Sequence, residues 1–402
     1  MPSGEKMSPV ELRSALSLSS IFGLRMLGMF VILPVFAIYA EGLPGGNNLT
    51  LVGIALGTYG LTQSILQIPF GWWSDRFGRK PVIYVGLALF AAGSFVAALG
   101  VHIYVIILGR LLQGAGAIAA PVMAMTADLV RDEHRSKAMA MIGSTIGATF
   151  ALSLVLSPWL NRAIGVPGIF VMTGVLVLTA MWVVYALVPD VPQQRPQAGA
   201  RGLEQFARAL RDPQLARLNY GVFALHAVLM SMFIAVPLDL RAAGLPLERH
   251  WQVYLPVMAG SFVLMLPAII GTAPPRRLKA MFVGSIALLF AAQLAMPWMS
   301  DGVWSIAGFL LAFFTAFNAL EAHLPTLVSR IAPGSARGVA IGVFTSLQFF
   351  GAFIGAAAGG FIYGRWETTG IVIFDAALLV IWLAAAVGTR VPEPGGGGQH
   401  RV

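Results

Sequence analysis

Continuous apolar stretches recur along almost the whole chain, and they restrict the fold more than any other feature. Each is about 20 residues long, which is enough for a helix to cross about 30 Å of hydrocarbon in a bilayer. Only 11% of the 402 residues are charged, whereas a soluble domain carries about 25%. The stretches do not alternate between apolar and polar residues, so helices are favoured over a β-barrel. The sequence therefore predicts an all-α membrane protein.

Twelve such stretches define twelve predicted transmembrane helices. They are 17–39, 52–73, 81–100, 102–126, 138–161, 165–188, 216–239, 252–271, 280–299, 303–327, 338–363 and 368–389. The longest polar interval separates the first six from the last six. The predicted organisation is an N-terminal six-helix bundle (1–189), a cytoplasmic linker with an amphipathic helix (190–214), a C-terminal six-helix bundle (215–390) and a disordered tail (391–402). A plain solvated linker is the alternative for the second segment.

The two halves resemble each other weakly at an offset of about 200 residues, as internal repeats of a transporter do. Arg135 and Arg337 each lead into a span that is rich in glycine. Two related bundles with a binding site between them are a common transporter plan. The sequence therefore predicts two pseudo-symmetric bundles.

The distribution of basic residues predicts the orientation in the membrane. Loops on one side hold only four of the 26 Lys and Arg residues, namely Arg162, Arg241, Arg249 and Arg365. Basic residues favour the cytoplasmic side, so both termini are predicted to be cytoplasmic. The net charge of +9 reflects this sidedness and predicts no nucleic-acid partner. The absence of cysteine excludes disulfides and thiolate metal sites, and no metal or cofactor is predicted.

Charge is concentrated in 71-GWWSDRFGRKP-81, at the cytoplasmic end of the second predicted span. Gly71 would allow another helix to approach closely, and Gly78 would permit a tight reversal. Asp75 lies where a helix end or an arginine could meet a carboxylate. The basic residues here are Arg76, Arg79 and Lys80. Anchoring by positive charge explains these three but neither the aspartate nor the glycines.

The pattern G71-x-x-x-D75-R76-x-G78-R79-K80 resembles the loop signature of the major facilitator superfamily, with Trp73 replacing a usual small residue. The stretch 108-LGRLLQGAGA-117, which contains Arg110 and Gln113, resembles the fourth-helix pattern of its proton-coupled antiporters. A fifth-helix antiporter pattern is matched in variant form by Gly143, Gly147 and Pro158. The resemblance implies that these last three residues support helix packing.

Further stretches resemble the YajR-type branch of proton-coupled drug antiporters in this superfamily. They are 24-LRMLGMFVILP-34, 225-LHAVLMSMFIAVP-237, 250-HWQVYLP-256 and 316-AFNALEAHLP-325. Two features depart from that branch. Ser157 stands where the branch has glycine, and the sequence shows no counterpart of the small soluble domain that follows the last span there.

The resemblance implies a role for the charged loop. In the superfamily this loop latches the two bundles together when the substrate cavity faces outward, with its aspartate near a helix N-terminus of the second half. A carboxylate in that position gains about 0.3–1 kcal/mol, which is weak enough to release. The implied latch residues are Gly71, Asp75, Arg76, Gly78, Arg79, Lys80 and Asp128.

Ionisable residues inside the predicted spans are few, and the insertion cost of about 2.5–3.5 kcal/mol makes each a functional candidate. Glu321 is the first candidate for a proton carrier, because an isolated carboxyl in an apolar environment can take up and release a proton. His226 is the second, because imidazole titrates close to neutral pH. A neutral packing role for Glu321 and a core role for His226 are the alternatives.

The superfamily resemblance implies that spans 1, 4, 7 and 10 line the central cavity. Arg25, Arg110 and Gln113 lie on these lining spans together with both proton candidates. Arg110 either releases a neighbouring proton or braces span 4 against a backbone carbonyl of span 1. His323 and Asp375 are predicted to be structural.

The predicted function is secondary active transport, in which a small apolar or cationic compound is exported in exchange for protons. Residues that would suit such a compound are Phe22, Met26, Met29, Phe30, Met230 and Phe233. A uniporter or a proton symporter of a polar solute, a membrane-embedded transferase and a non-transporting receptor are the alternatives. Scattered histidines argue against the transferase. The predicted setting is a bacterial inner membrane, with a monomer that meets its substrate, protons and lipid.

Overall fold

The computed structural model describes residues 6–190, 211–270, 274–299, 302–332 and 337–391. Within these ranges the regular structure is helical and no strand occurs. The helices are α1 (Pro9–Phe30), α2 (Leu33–Ala40), α3 (Leu49–Phe77), α4 (Arg79–Ala98), α5 (Ile103–Ala115), α6 (Ala119–Leu129), α7 (Asp132–Leu187), α8 (Pro213–Ala242), α9 (Trp251–Ile269), α10 (Pro275–Met299), α11 (Val303–Ile331) and α12 (Arg337–Val387). A short 3₁₀ turn, Leu247–Arg249, precedes α9. The predicted amphipathic helix of the linker and the tail beyond residue 391 lie outside the described residues.

Local capping chemistry explains where two of the helices begin. Ser8 accepts a hydrogen bond from the backbone N–H of Glu11 at 3.2 Å, and the Glu11 carboxylate accepts one from the backbone N–H of Ser8 at 2.8 Å. This reciprocal pair is a capping box, which satisfies backbone donors at the start of α1. Asp212 caps α8 in a similar way, and Pro213 follows it at the first helical position.

Ten helices in the described ranges are long and apolar enough to cross a membrane, counting α1 with α2 and α5 with α6 as single spans. The sequence predicts twelve, and the difference lies in α7 and α12. These elements have 56 and 51 residues, and each covers two predicted spans. Only a few residues separate the spans of each pair, so no extended loop interrupts the helical hydrogen bonding.

Both long elements contain one residue with a non-helical backbone. Gly165 in α7 has φ 67° and ψ 171°. Glu367 in α12 has φ 50° and ψ −147°, in a region that residues with a side chain seldom occupy. A straight helix of 56 residues would measure about 84 Å, against about 30 Å of hydrocarbon. Each element therefore changes direction at this residue.

The chain divides into two compact units. The first comprises Met1–Gly45 and Leu61–Gln197, and the second comprises Gly46–Gly60 and Ala198–Val402. The first part of α3 therefore belongs to the second unit. Two glycines allow this part of α3 to lie close to α12. A Cβ at Gly57 would be 2.8 Å from the carbonyl oxygen of Phe353, and a Cβ at Gly60 would be 2.5 Å from the carbonyl oxygen of Phe349.

Helix α8 forms the centre of the second unit, and nearly every residue from Leu218 to Leu240 is buried. It packs against α12 through a line of glycines that we call the α8–α12 seam. The seam pairs Gly351 with Phe223, Gly355 with Ala227, and Gly359 with Ser231. A Cβ at Gly355 would lie 2.5 Å from the Ala227 Cα, so the two backbones are in direct contact. This close packing fixes the side chains of α8 relative to those of α12.

Candidate functional site

Glu321 of α11 and His226 of α8 lie next to each other in the second unit. Nε2 of His226 is 3.5 Å from Oε1 of Glu321. Nδ1 of His226 is 3.1 Å from the Val222 carbonyl oxygen, and the side-chain nitrogen of Gln348 is 2.8 Å from Nε2. An amide nitrogen only donates, so Nε2 accepts from Gln348 and the proton resides on Nδ1. His226 is therefore a neutral imidazole in this arrangement.

The two candidate proton carriers differ in accessibility. About 35% of the Glu321 side-chain surface is accessible, compared with 11% for His226. The imidazole also packs edge-on against the ring of Phe317, with centroids 5.9 Å apart. Glu321 is thus the more exposed member of the pair. The pair thus combines an accessible acid with a buried base.

His323 follows Glu321 by two residues but has a different environment. Its Nε2 is 2.9 Å from the carbonyl oxygen of Ala268 in α9, and its side chain is buried. Two residues correspond to about 200° around a helix, so the two side chains point in different directions. The contact with α9 agrees with the structural role that the sequence predicts for His323.

Arg25 is fully buried in the first unit. Its Nη2 donates to Oε1 of Gln63 at 2.5 Å, and the Gln63 amide donates to Oε1 of Gln67 at 3.0 Å. The guanidinium also lies over the ring of Phe90, 5.4 Å from its centroid. A cation in an apolar interior needs such partners. The result is a polar chain that extends from α1 along α3.

Arg110 and Gln113, both on α5, form a second polar chain in the first unit. Nη1 of Arg110 donates to Oε1 of Gln113 at 2.9 Å, and Nε2 of Gln113 donates to Ser94 Oγ of α4 at 2.8 Å. All three side chains are buried. The structure thus places Glu321 and His226 together in one unit, and Arg25, Arg110 and Gln113 in two polar chains of the other.

Arg79 is the centre of the charged loop between α3 and α4. Its guanidinium forms an ion pair with Asp75 one turn earlier and with Asp128 Oδ2 at the end of α6, the latter at 3.0 Å. It also donates to Ser74 Oγ at 2.8 Å. One arginine therefore ties two carboxylates together.

The other residues of this loop behave differently from one another. Gly78 has φ 94°, which confirms the predicted reversal before α4. A Cβ on Gly71 would be 3.4 Å from the Ala120 Cβ of α6, so Gly71 permits close helix packing. Lys80 pairs with Asp190 at 2.7 Å.

Arg76 behaves differently from the other basic residues of this loop. Its guanidinium lies over the rings of Trp72 and Phe77, 5.7 and 5.8 Å from their centroids. Arg76 thus stands apart from the ion pairs of Arg79, because its side chain lies over the apolar surface of α3.

Replacing Arg79 with lysine is expected to lower the free energy of unfolding by about 1 kcal/mol. A lysine carries a point charge and cannot reproduce the planar fork that serves Asp75, Asp128 and Ser74 together. Thermal unfolding of the purified protein measures the change. The matched control is Arg76→Lys, which has no carboxylate partner among the described residues and should have little effect. Equal losses in both variants would contradict the central role of Arg79.

Gly143 and Gly147 lie in open space, because a Cβ on either would meet no heavy atom within 4 Å. The packing role that the fifth-helix resemblance implies for them stays a prediction. Glycines allow close approach at the α8–α12 seam and between α3 and α12. Pro158 lies inside α7 and is buried.

The sequence reasoning overlooked two amides and a hydroxyl inside the helices that contact the predicted residues. Gln348 bonds to His226, Gln63 bonds to Arg25, and Ser94 bonds to Gln113. Side-chain amides inside apolar spans are a signal that could have identified them, because polar side chains in a membrane interior need partners. Of the predicted apolar substrate contacts, Phe22, Met26, Met230 and Phe233 are buried, and Met29 and Phe30 are partly exposed.

Comparisons with known proteins agree with this architecture. A sequence model described as Major Facilitator Superfamily matches residues 18–356. The inner membrane transport protein YajR of Escherichia coli (strain K12) is 42% identical over 390 residues, covering 96% of this chain and 85% of YajR. The quinolone resistance protein NorA of Staphylococcus aureus (strain MRSA252) is 24% identical over 356 residues, covering 84% of this chain and 86% of NorA. The crystal structure of the human organic anion transporter MFSD10 has the same fold, with a TM-score of 0.73, 17% identity and coverage of 94% of this chain and 100% of that one.

Proposed function

Because this chain belongs to the Major Facilitator Superfamily, we propose that it is a proton-coupled antiporter that exports a small apolar or cationic compound. The protein is a membrane transporter and not an enzyme. Proton coupling, the direction of transport and the class of substrate are the proposed parts.

The contact between Glu321 and His226 supports proton coupling. A carboxyl with 35% of its side-chain surface accessible lies 3.5 Å from a buried imidazole. Each group can gain or lose one proton, and the charge of one changes the electrostatic environment of the other. In the proposed cycle, Glu321 takes up a proton from one side of the membrane and releases it to the other. Arg25, Arg110 and Gln113 would contribute polar contacts to the transport pathway.

The proposed architecture has twelve spans in two six-helix bundles. Dividing α7 at Gly165 and α12 at Glu367 would add two spans to the ten long apolar helices. The even number and the basic loops support cytoplasmic placement of both termini. The name of the YajR relative supports a bacterial inner membrane. We propose a monomer as the working unit, and alternating access as its mode of action.

The charged loop supports a conformational role. Arg79 holds Asp75 and Asp128 together, and Gly71, Gly78 and Lys80 shape the loop around this ion pair. A partly exposed ion pair of this kind contributes little energy, about 0–1 kcal/mol, so it can open and close during transport. We propose that it is a latch between conformations, with Arg76 anchoring the loop at the apolar surface.

The proposed class of substrate has two supports. One is the resistance function that the name of the NorA relative states for that protein. The other is the composition of the spans, in which adaptable methionine and aromatic side chains are frequent. A uniporter or a proton symporter of a polar solute is the second candidate, and the buried polar chains of Arg25 and Arg110 favour it.

Proton movement in reconstituted vesicles tests this proposal. Purified protein is placed in vesicles that contain a pH-sensitive dye, and a panel of lipophilic cations and neutral drugs is added. Antiport is expected to move protons in the direction opposite to the compound. Movement of both in the same direction would indicate symport, and transport without proton movement would indicate a uniporter. Either result would overturn the proposal.

A further inference from the structure

Asp375 is a second buried acid in the second unit, and it is separate from the Glu321–His226 pair. It lies in the latter part of α12 and has no accessible surface. Ser231 Oγ of α8 is 2.7 Å from its Oδ1 and 3.0 Å from its Oδ2. The side-chain amide of Gln293, from α10, donates to Oδ2. Three helices thus enclose one carboxyl group.

The hydrogen bonds around Ser231 indicate the protonation state of this carboxyl. Ser231 Oγ is also 2.9 Å from the carbonyl oxygen of Val228, one turn earlier in α8. A hydroxyl has a single hydrogen to donate. If that hydrogen goes to Val228, the 2.7 Å contact with Asp375 requires a hydrogen from the acid. The distance is typical of an O–H···O hydrogen bond. A protonated Asp375 therefore supplies the hydrogen for the 2.7 Å contact while Ser231 donates to Val228 and Gln293 donates to Oδ2.

An ionised Asp375 would have hydrogen bonds from Ser231 and Gln293 but no neutralising charge. No cation pairs with Asp375 anywhere in the part of the chain that the structure describes. The nearest charged or titratable residues along the three helices are His226 and Asp239 on α8, Lys279 on α10 and Glu367 on α12. His226 is five residues from Ser231, or about 7 Å along the helix axis, and the others are farther away in sequence. An isolated carboxylate in such a place would be strongly destabilising.

We propose that Asp375 is a second proton-binding site of this protein, which holds its proton between α8, α10 and α12 in the present conformation. The site lies beside the α8–α12 seam, because Ser231 contacts Asp375 and is also the partner of Gly359. A Cβ on Gly359 would be 2.8 Å from the Ser231 Cα. Water can reach the carboxyl only when these helices separate. Glu321 exchanges its proton through an accessible surface, whereas Asp375 retains its proton until the packing changes.

Infrared spectroscopy of the purified protein tests this site, independently of any transport assay. The carbonyl stretch of a protonated carboxyl appears above the amide I band. We expect such a band at neutral pH in the wild type and in Glu321→Gln, and its loss in Asp375→Asn. In Ser231→Ala the band is expected to shift, because the acid loses the oxygen to which it donates. Loss of the band in Glu321→Gln with retention in Asp375→Asn would overturn the proposal.

Asparagine has the shape of a protonated aspartic acid, so Asp375→Asn should keep the unfolding midpoint of the wild type. If that variant does not fold, the shift of the band in Ser231→Ala still decides the question, and an unshifted band there counts against the proposal. A sodium ion is the competing occupant. The wild type is therefore unfolded thermally in sodium and in choline salts. A midpoint that rises with sodium in the wild type but not in Ser231→Ala would mean that the site holds a metal cation and no proton.

Discussion

Replacing Glu321 with glutamine is expected to reduce compound-driven proton movement by about 100-fold or more, close to the level of protein-free vesicles. Positioned proton-transfer groups accelerate reactions by about 10²–10⁴-fold, and glutamine cannot take up the proton. The substitution preserves the size of the side chain and its ability to contact His226 at 3.5 Å. A pH-sensitive dye inside reconstituted vesicles measures the loss. Binding of the compound should persist, because the apolar contacts are unchanged.

Glu133→Gln is the matched control for this experiment. It removes the same type of charge from an exposed position at the start of α7, and it should leave proton movement unchanged. His226→Gln should have a smaller effect than Glu321→Gln, because the imidazole is neutral and its nitrogens are already bonded. If Glu321→Gln matches the wild type, the carrier is another residue, even where antiport itself is observed.

Replacing Gly355 with alanine is expected to lower the free energy of unfolding by about 1–3 kcal/mol, the usual cost of an overpacked interior. The added methyl would lie 2.5 Å from the Ala227 Cα and 2.6 Å from its carbonyl carbon. These are backbone atoms, so a side-chain rotation cannot relieve the clash, and α8 must move away from α12. Thermal unfolding in detergent measures the change.

Gly342→Ala in the same helix is the matched control, because a Cβ there meets nothing within 4 Å. Alanine is favoured over glycine inside a helix by about 1 kcal/mol, so this variant should be as stable as the wild type or more stable. The two substitutions are chemically identical and are expected to act in opposite directions. A stabilised Gly355→Ala would mean that the seam is looser than the structure indicates.

The sequence predicted the helical fold and the reversal at position 78, because both depend on local information. Hydropathy located the long helices, and the glycine at position 78 predicted the reversal that its φ of 94° confirms. The sequence did not predict that the helical elements α7 and α12 would continue through Gly165 and Glu367. Connections of three or four residues are too short to show from sequence whether the chain forms a separate loop or a kink within one helical element.

The candidate site was predictable only in part. Ionisable residues in apolar spans are conspicuous, so Glu321 and His226 were identified. Their partners depend on which helix faces which, and one sequence does not contain that information. Gln348 is 122 residues from His226 along the chain, and Ser231 is 144 residues from Asp375.

Gln348 has a consequence for the efficiency of transport if Glu321 carries the coupling proton. Its amide occupies the one ring nitrogen of His226 that could accept that proton. As long as this contact lasts, the imidazole of His226 cannot accept a proton from Glu321. His226 then offers no route for a proton from Glu321 deeper into the second unit, which would limit proton leakage through this residue in an idle transporter.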